Sequence, residues 1–198
     1  MVAEQARVTP GGIKEIGVIN AAFCWLGSRV LKTRSANLFT VMGRRRRMFK
    51  AWLLFAATLM PGGRLPRRES ELVILRVAAR RACAYELDYH VRIGHRAGLT
   101  AEEITRVQRL EPPLQEHAGQ AGSEQGGLEQ WGLRDAVLIR AADSLVETKG
   151  IDDQLWGQLR QYFDDAELVE LTMLAAHYDM LATFITTLGI QPDTRPSR

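Results

Sequence analysis

Residues 68–98 read RESELVILRVAARRACAYELDYHVRIGHRAG. Wound at about 100° per residue, the first part of this stretch places aliphatic side chains on one arc of a helix, with Arg76 and Arg80 opposite. The aliphatic positions are Leu72, Ile74, Leu75, Ala78, Ala79 and Ala82. Glu71 falls at the centre of this arc, so we predict a core helix with a carboxylate on its buried face.

The second part of the stretch, residues 83–97, is also predicted to be helical. Cys83, Glu86 and His90, at positions i, i+3 and i+7, share a face that we predict to turn inward. The opposite, solvated face carries Asp88, Arg92, His95 and Arg96. Carboxylates and imidazoles in a core lose hydration unless they are paired or titrate, and such groups gather at functional sites. Glu71, Cys83, Glu86 and His90 are therefore the candidate site.

The composition is that of a soluble α-rich protein. The chain has 198 residues, 46% apolar and 25% charged, which suits one domain with a substantial core. A net charge of +3 is too mild to indicate a nucleic-acid partner. Part of it comes from the arginine run at residues 44–47, which is either a solvated face or a patch for an anion or an acidic partner.

Cysteine usage and hydropathy predict a cytoplasmic protein. Cys24 and Cys83 form no CxxC or disulfide framework, as expected in a reducing compartment. The polar opening lacks the pattern of a signal peptide. The longest apolar run, residues 51–60, is shorter than the roughly twenty residues that a bilayer requires, so no membrane partner is expected.

Capping residues, glycines and prolines predict where the helices of the chain begin and end. We predict an N-terminal arm helix over residues 13–31, and a capping box at Thr100 with Glu103 opens a short helix. Further boundaries are expected at Ser35, Met48, Pro66, Gly98, Asp152 or Asp153, and Asp164 or Asp165, the last helix running to Leu188. The polar loop at residues 111–127 is a lid or a connector. Without an alternating strand pattern, the expected fold is an all-α antiparallel bundle.

The spacing of the candidate site resembles a known family. Eleven residues separate Glu71 from Cys83, two separate Cys83 from Glu86, and three separate Glu86 from His90. The sequence VRIGHRAGLTAEEI, residues 91–104, follows directly. RLPRRESELVILRVA, residues 64–78, and HYDMLATFITTLGI, residues 177–190, extend the similarity. The chain thus resembles the carboxymuconolactone decarboxylase superfamily, which includes alkylhydroperoxidase D.

This resemblance implies an alkylhydroperoxidase D-like helical bundle over residues 37–190. Residues 1–36 would then be a tail and helical arm, and residues 191–198 a polar tail. It also implies a homo-oligomer, a dimer or higher with a hexamer among the possibilities, and a small-molecule substrate.

One branch of the family has a second cysteine where this chain has Glu86. Without it, Cys83 has no nearby thiol with which to cycle through a disulfide. The decarboxylase branch is therefore preferred. It implies cofactor-free and metal-free acid-base chemistry on a small carboxylate or lactone, with His90 as proton donor and Glu71 completing the relay. Glu86 would orient His90 or act as acid or base itself.

Alternatives remain open on the sequence alone. Cys83 could act as a one-cysteine peroxidase with an external reductant, or the polar group could only fix packing in a non-catalytic interaction module. Tyr178 is interpreted as packing with a satisfied hydroxyl. For a substrate carboxylate, the candidate cations are Arg76, Arg80 and Arg92.

Overall fold

The computed structural model describes residues 5–31, 33–34, 36–109 and 131–194, and ten helices with no strand lie within them. Their bounds are α1 Ile13–Ile16, α2 Val18–Leu31, α3 Asn37–Gly43, α4 Arg46–Leu59, α5 Arg67–Arg80, α6 Ala84–Arg96, α7 Ala101–Val107, α8 Leu133–Glu147, α9 Asp153–Leu159 and α10 Asp165–Leu188. The predicted all-α fold is confirmed. The Ser35 cap and the loop at residues 111–127 lie outside the described residues.

Several predicted helix boundaries are confirmed by their caps. Thr100 and Glu103 form the reciprocal bonds of a capping box, and Asp152 accepts the Leu155 amide. Gly98 follows α6 with a φ of 101°, a conformation that suits glycine because it has no Cβ. The predicted arm helix is interrupted, however. Gly17, at φ 80°, separates α1 from α2.

The chain divides into two compact units, residues 1–63 with 181–198 and residues 64–180. In the first unit, Phe39, Phe49 and Trp52 pack their rings within 6.3 Å of one another. In the second unit, α5 packs against α6, α7 and α8. Its hydrophobic cluster comprises Leu72, Leu75, Leu99, Ile104, Val107, Trp131 and Ile139.

Helix α5 is buried from Glu69 to Ala79, so that the face opposite the predicted apolar arc is buried as well at Arg76. Arg76 is buried and binds Asp143 on α8 through two contacts of 2.5 and 2.7 Å. Arg80 binds the same carboxylate at 2.7 Å. Residue periodicity shows which face is apolar, but a carboxylate on a neighbouring helix decides whether the opposite face can be buried.

Helix α10 is, among the described helices, the one long and apolar enough to cross a membrane, and half of its apolar window is buried. Its start is fixed by Asp164 and Glu167, whose side chains accept each other's backbone amides. The core helix of a globular protein has the same length and composition, so the helix by itself is weak support for a membrane span.

Candidate functional site

Glu71 and His90 form the central pair of the site. Glu71 has no exposed surface, and its Oε2 lies 2.7 Å from Nδ1 of His90 on α6. Arg67, one turn earlier on α5, holds the other oxygen, with Nη2 2.9 Å from Oε1. A carboxylate accepts a hydrogen bond from Nδ1 when that nitrogen carries a proton, which leaves Nε2 as the ring nitrogen available for proton transfer.

Glu86 lies in a different environment. It is 3% exposed, and in the described part of the chain no nitrogen or hydroxyl donor reaches either carboxyl oxygen. Burial raises the pKa of Glu86 to about 8, and the charge of Asp179 adds to the rise, whereas the Cys83 thiol and Arg81 oppose it. Glu86 is therefore mainly a neutral acid at pH 7.

Cys83 lies at the junction of α5 and α6, directly after Ala82, which has a φ of 49°. Burial, followed by the charge of Glu86, raises the pKa of the Cys83 thiol to about 12. The backbone amides of Glu86 and Tyr85 oppose this rise without cancelling it. The thiolate, which is the nucleophilic form, is thus disfavoured at neutral pH.

Tyr178 on α10 lies beside the same groups. Its ring meets His90 edge to face, with centroids 5.0 Å apart, and meets His177 in the same way at 5.4 Å. Burial and the charges of Glu71 and Glu86 raise the pKa of the Tyr178 phenol. Burial lowers the pKa of His177. Three helices therefore contribute to the site.

The structure brings together Glu71 with His90 and Cys83 with Glu86. Of the two roles considered for Glu86, the structure contradicts that of orienting the His90 ring, because it is Glu71 that contacts the ring. The cations considered for a substrate carboxylate are engaged elsewhere: Arg76 and Arg80 bind Asp143, and Arg92 contacts Asp88 and the Tyr89 ring.

Sequence reasoning missed Arg67 as a member of the site. The available signal was its position four residues before Glu71, which puts the two side chains on one helix face. Among the described residues, no three His, Cys, Asp or Glu side chains are grouped to hold a metal ion.

Comparison with known proteins places this geometry in context. Residues 46–111, which contain all four candidate residues, match the model of the carboxymuconolactone decarboxylase family. No curated protein sequence shows significant similarity to the chain.

Solved structures share the fold at low sequence identity. An uncharacterised peroxidase-related protein from Silicibacter sp. TM1040 is 14% identical, with a TM-score of 0.70 over 96% of this chain and 91% of its own. The alkylhydroperoxidase AhpD core protein from Ralstonia eutropha JMP134 is 16% identical, with a TM-score of 0.67 over 93% and 92%. The debrominase Bmp8 is 11% identical, with a TM-score of 0.73 over 96% and 94%.

Proposed function

We propose that the chain is a member of the carboxymuconolactone decarboxylase family and an enzyme performing cofactor-free proton transfer on a small carboxylate or lactone, because residues 46–111 match the family model and solved AhpD-like structures share the fold. The observation that carries this proposal is the contrast between two carboxyl groups. Glu71 is paired with Arg67 and His90, whereas burial raises the pKa of Glu86 to about 8 and favours its neutral form. A pair of acids in such different surroundings can supply a base and an acid at the same pH.

Decarboxylation is the reaction that fits this pair. The bond between the substrate carbon and its carboxylate breaks, carbon dioxide leaves, and the electron pair remains on the substrate as an enolate. The neutral Glu86 carboxyl donates a hydrogen bond to the developing enolate oxygen. His90 takes a proton from solvent at Nε2 and delivers it to carbon, and Glu71, 2.7 Å from Nδ1, stabilises the charge that the ring carries between these two steps.

Access to the site favours an anionic substrate. The side chain of Arg67 is 39% exposed and that of His90 11%, whereas Glu71 is fully enclosed. A substrate therefore approaches from the side of Arg67 and His90. A guanidinium on this side attracts a carboxylate before the reacting carbon reaches the imidazole.

The test is turnover of 4-carboxymuconolactone and related small lactone carboxylates, followed by carbon dioxide release in the full-length protein. We expect His90→Asn to lower the rate by roughly 100-fold or more, as for loss of a positioned acid, and Glu86→Leu, which has no donor for the enolate oxygen, to lower it by a similar factor. The matched controls are His95→Asn and Glu102→Leu, two exposed positions, which should retain activity. Absence of turnover in the wild type on this substrate class would exclude the proposed reaction.

A thiol peroxidase is the second candidate, because Cys83 lies beside Glu86 at the start of α6. Glu86 would accept the Cys83 proton, the thiolate would attack a peroxide oxygen, and Glu86 would return the proton to the leaving alkoxide. The resulting sulfenic acid needs two equivalents of an external thiol to regenerate Cys83, with release of water.

Peroxide consumption with excess dithiothreitol distinguishes the two candidates. If Cys83→Ser abolishes peroxide turnover while Cys24→Ser does not, the peroxidase assignment replaces the acid-base one. If neither assay detects turnover, the polar group acts only in packing, and the chain is a helical interaction module.

A further inference from the structure

Helix α2 is oriented with its polar and small side chains inward. Asn20, Cys24 and Ser28, spaced four residues apart, are buried, and the Ser28 hydroxyl donates to the Cys24 carbonyl at 2.9 Å. The opposite face is apolar and exposed. It consists of Val18, Ile19, Phe23, Trp25 and Leu26, which are between 45% and 75% exposed. We call these five residues the α2 apolar face.

This face is unusual because amphipathic helices normally bury their bulky side chains. Isolated exposed apolar residues need no explanation, but a contiguous patch with two aromatic rings marks an interaction site. The helix is held in this orientation by its own unit, since Asn20 Nδ2 donates to the Arg46 carbonyl on α4 at 3.3 Å.

Cations flank the α2 apolar face at both ends. Near its beginning, Arg46 and Lys50 line a concavity of about 280 Å³ together with Val18 and Ile19. Near its other end, the Arg29 guanidinium lies 4.8 Å from the centre of the Trp25 ring. The exposed arginines at residues 44–47 add further positive charge on the same unit.

The net charge of the chain is small, but basic and acidic residues are divided unequally between the two units. Residues 1–63 with 181–198 contain twelve basic and three acidic residues, a formal charge of +9. Residues 64–180 contain fourteen basic and twenty acidic residues, a charge of −6. The expectation of no membrane partner rested on the shortness of the longest apolar run, which addresses a membrane span and not binding at a membrane surface.

We infer that the α2 apolar face and its flanking cations form a docking surface for an anionic lipid bilayer. Aromatic and aliphatic side chains on one helix face insert at the boundary of headgroups and acyl chains, while Lys and Arg contact anionic headgroups. A symmetric contact between two copies through this face would bring two units of charge +9 together, which disfavours that occupant. Nucleic acid would use the cations but not the aliphatic side chains.

The experiment is flotation of the full-length protein with vesicles of phosphatidylcholine, with and without phosphatidylglycerol, at low and high salt. We expect flotation that requires phosphatidylglycerol and decreases with salt. The double variant Phe23→Ala with Trp25→Ala should weaken binding at least roughly tenfold, because two interfacial side chains are lost. Trp156→Ala, an exposed tryptophan of the other unit, is the matched control and should bind like the wild type.

A second double variant, on α4, tests the inference without changing α2. Arg47→Gln with Lys50→Gln alters two exposed side chains on α4 and should lower binding by roughly tenfold or more. Circular dichroism checks that both double variants are folded. Wild type that does not float, or variants that float equally well, would overturn the inference. It is also overturned if the wild type shifts duplex DNA but not vesicles, or if the α2 variants only dissociate an oligomer.

Discussion

At the scale of single residues, Glu71 and Glu86 are the same chemical group in opposite surroundings. Glu71 has a cation and an imidazole within 3 Å of its oxygens. Glu86 is equally buried, but in the described residues it has only a thiol as a near donor. The difference is set by neighbouring side chains, and at Glu86 burial raises the pKa of the carboxyl group.

This environment predicts a dependence of stability on pH that belongs to Glu86. Its pKa in the folded state, about 8, lies above the ordinary value of 4.5. Between these values the folded state retains a proton that the unfolded state releases, so the free energy of unfolding falls as pH rises. We expect Glu86→Gln to flatten this fall, measured as urea midpoints at several pH values from about 5 to 8.5.

Glu102→Gln is the control for that measurement, because the Glu102 side chain is exposed on α7. It should leave the pH profile of the wild type unchanged. Parallel profiles for wild type and Glu86→Gln would mean that Glu86 is ionised in the folded protein, and the acid role proposed for it would then be wrong.

At the scale of elements, helices α5 and α8 are joined by a buried ion network. Asp143 accepts from Arg76 and Arg80, and Arg76 also donates to the carbonyls of Val107 and Arg109 at the end of α7. These bonds fix α5 relative to α7 and α8, and thereby position the helix that carries Glu71.

We predict that Asp143→Ala lowers the free energy of unfolding by about 3–5 kcal/mol, because it leaves the buried Arg76 without its carboxylate and Arg80 with only the exposed Glu147. Chemical denaturation measures the effect. The comparison variant is Asp88→Ala, which removes an exposed partner of Arg92 and should cost less than about 1 kcal/mol. Equal losses in the two variants would contradict a structural role for the buried network.

At the scale of the whole molecule, the two units differ in formal charge, which is +9 for one and −6 for the other. A cation-exchange resin binds a local cluster of positive charge, so the retention of a protein on the resin does not depend on its net charge alone. The protein should therefore elute from a sulfonate resin at a salt concentration that depends on which cations are removed, and not only on how many.

We predict that Arg45→Gln with Arg47→Gln elutes at markedly lower salt than the wild type. The matched variant, Arg96→Gln with Arg109→Gln, removes the same charge from exposed positions of the acidic unit and should change elution less. Similar shifts for the two double variants would indicate that the resin responds to the net charge, and that the basic unit is not a patch.

The sequence by itself determined the helical fold and several helix boundaries, and it nominated four of the residues that the candidate site contains. Local signals suffice for these features, because caps such as Thr100 with Glu103 and the spacing of Glu71, Cys83, Glu86 and His90 depend on residues within one or two helices. The role of these four residues in catalysis remains a prediction.

Only the tertiary structure decided how the polar groups are paired and which apolar groups stay exposed. Periodicity placed Arg76 opposite the core, but Asp143, distant in sequence, made its burial possible. Likewise, nothing local showed that Glu71 would bind His90, or that α2 would turn Cys24 inward and Trp25 outward. Such outcomes depend on contacts between helices far apart along the chain, whereas propensity and spacing report only on neighbours within one helix.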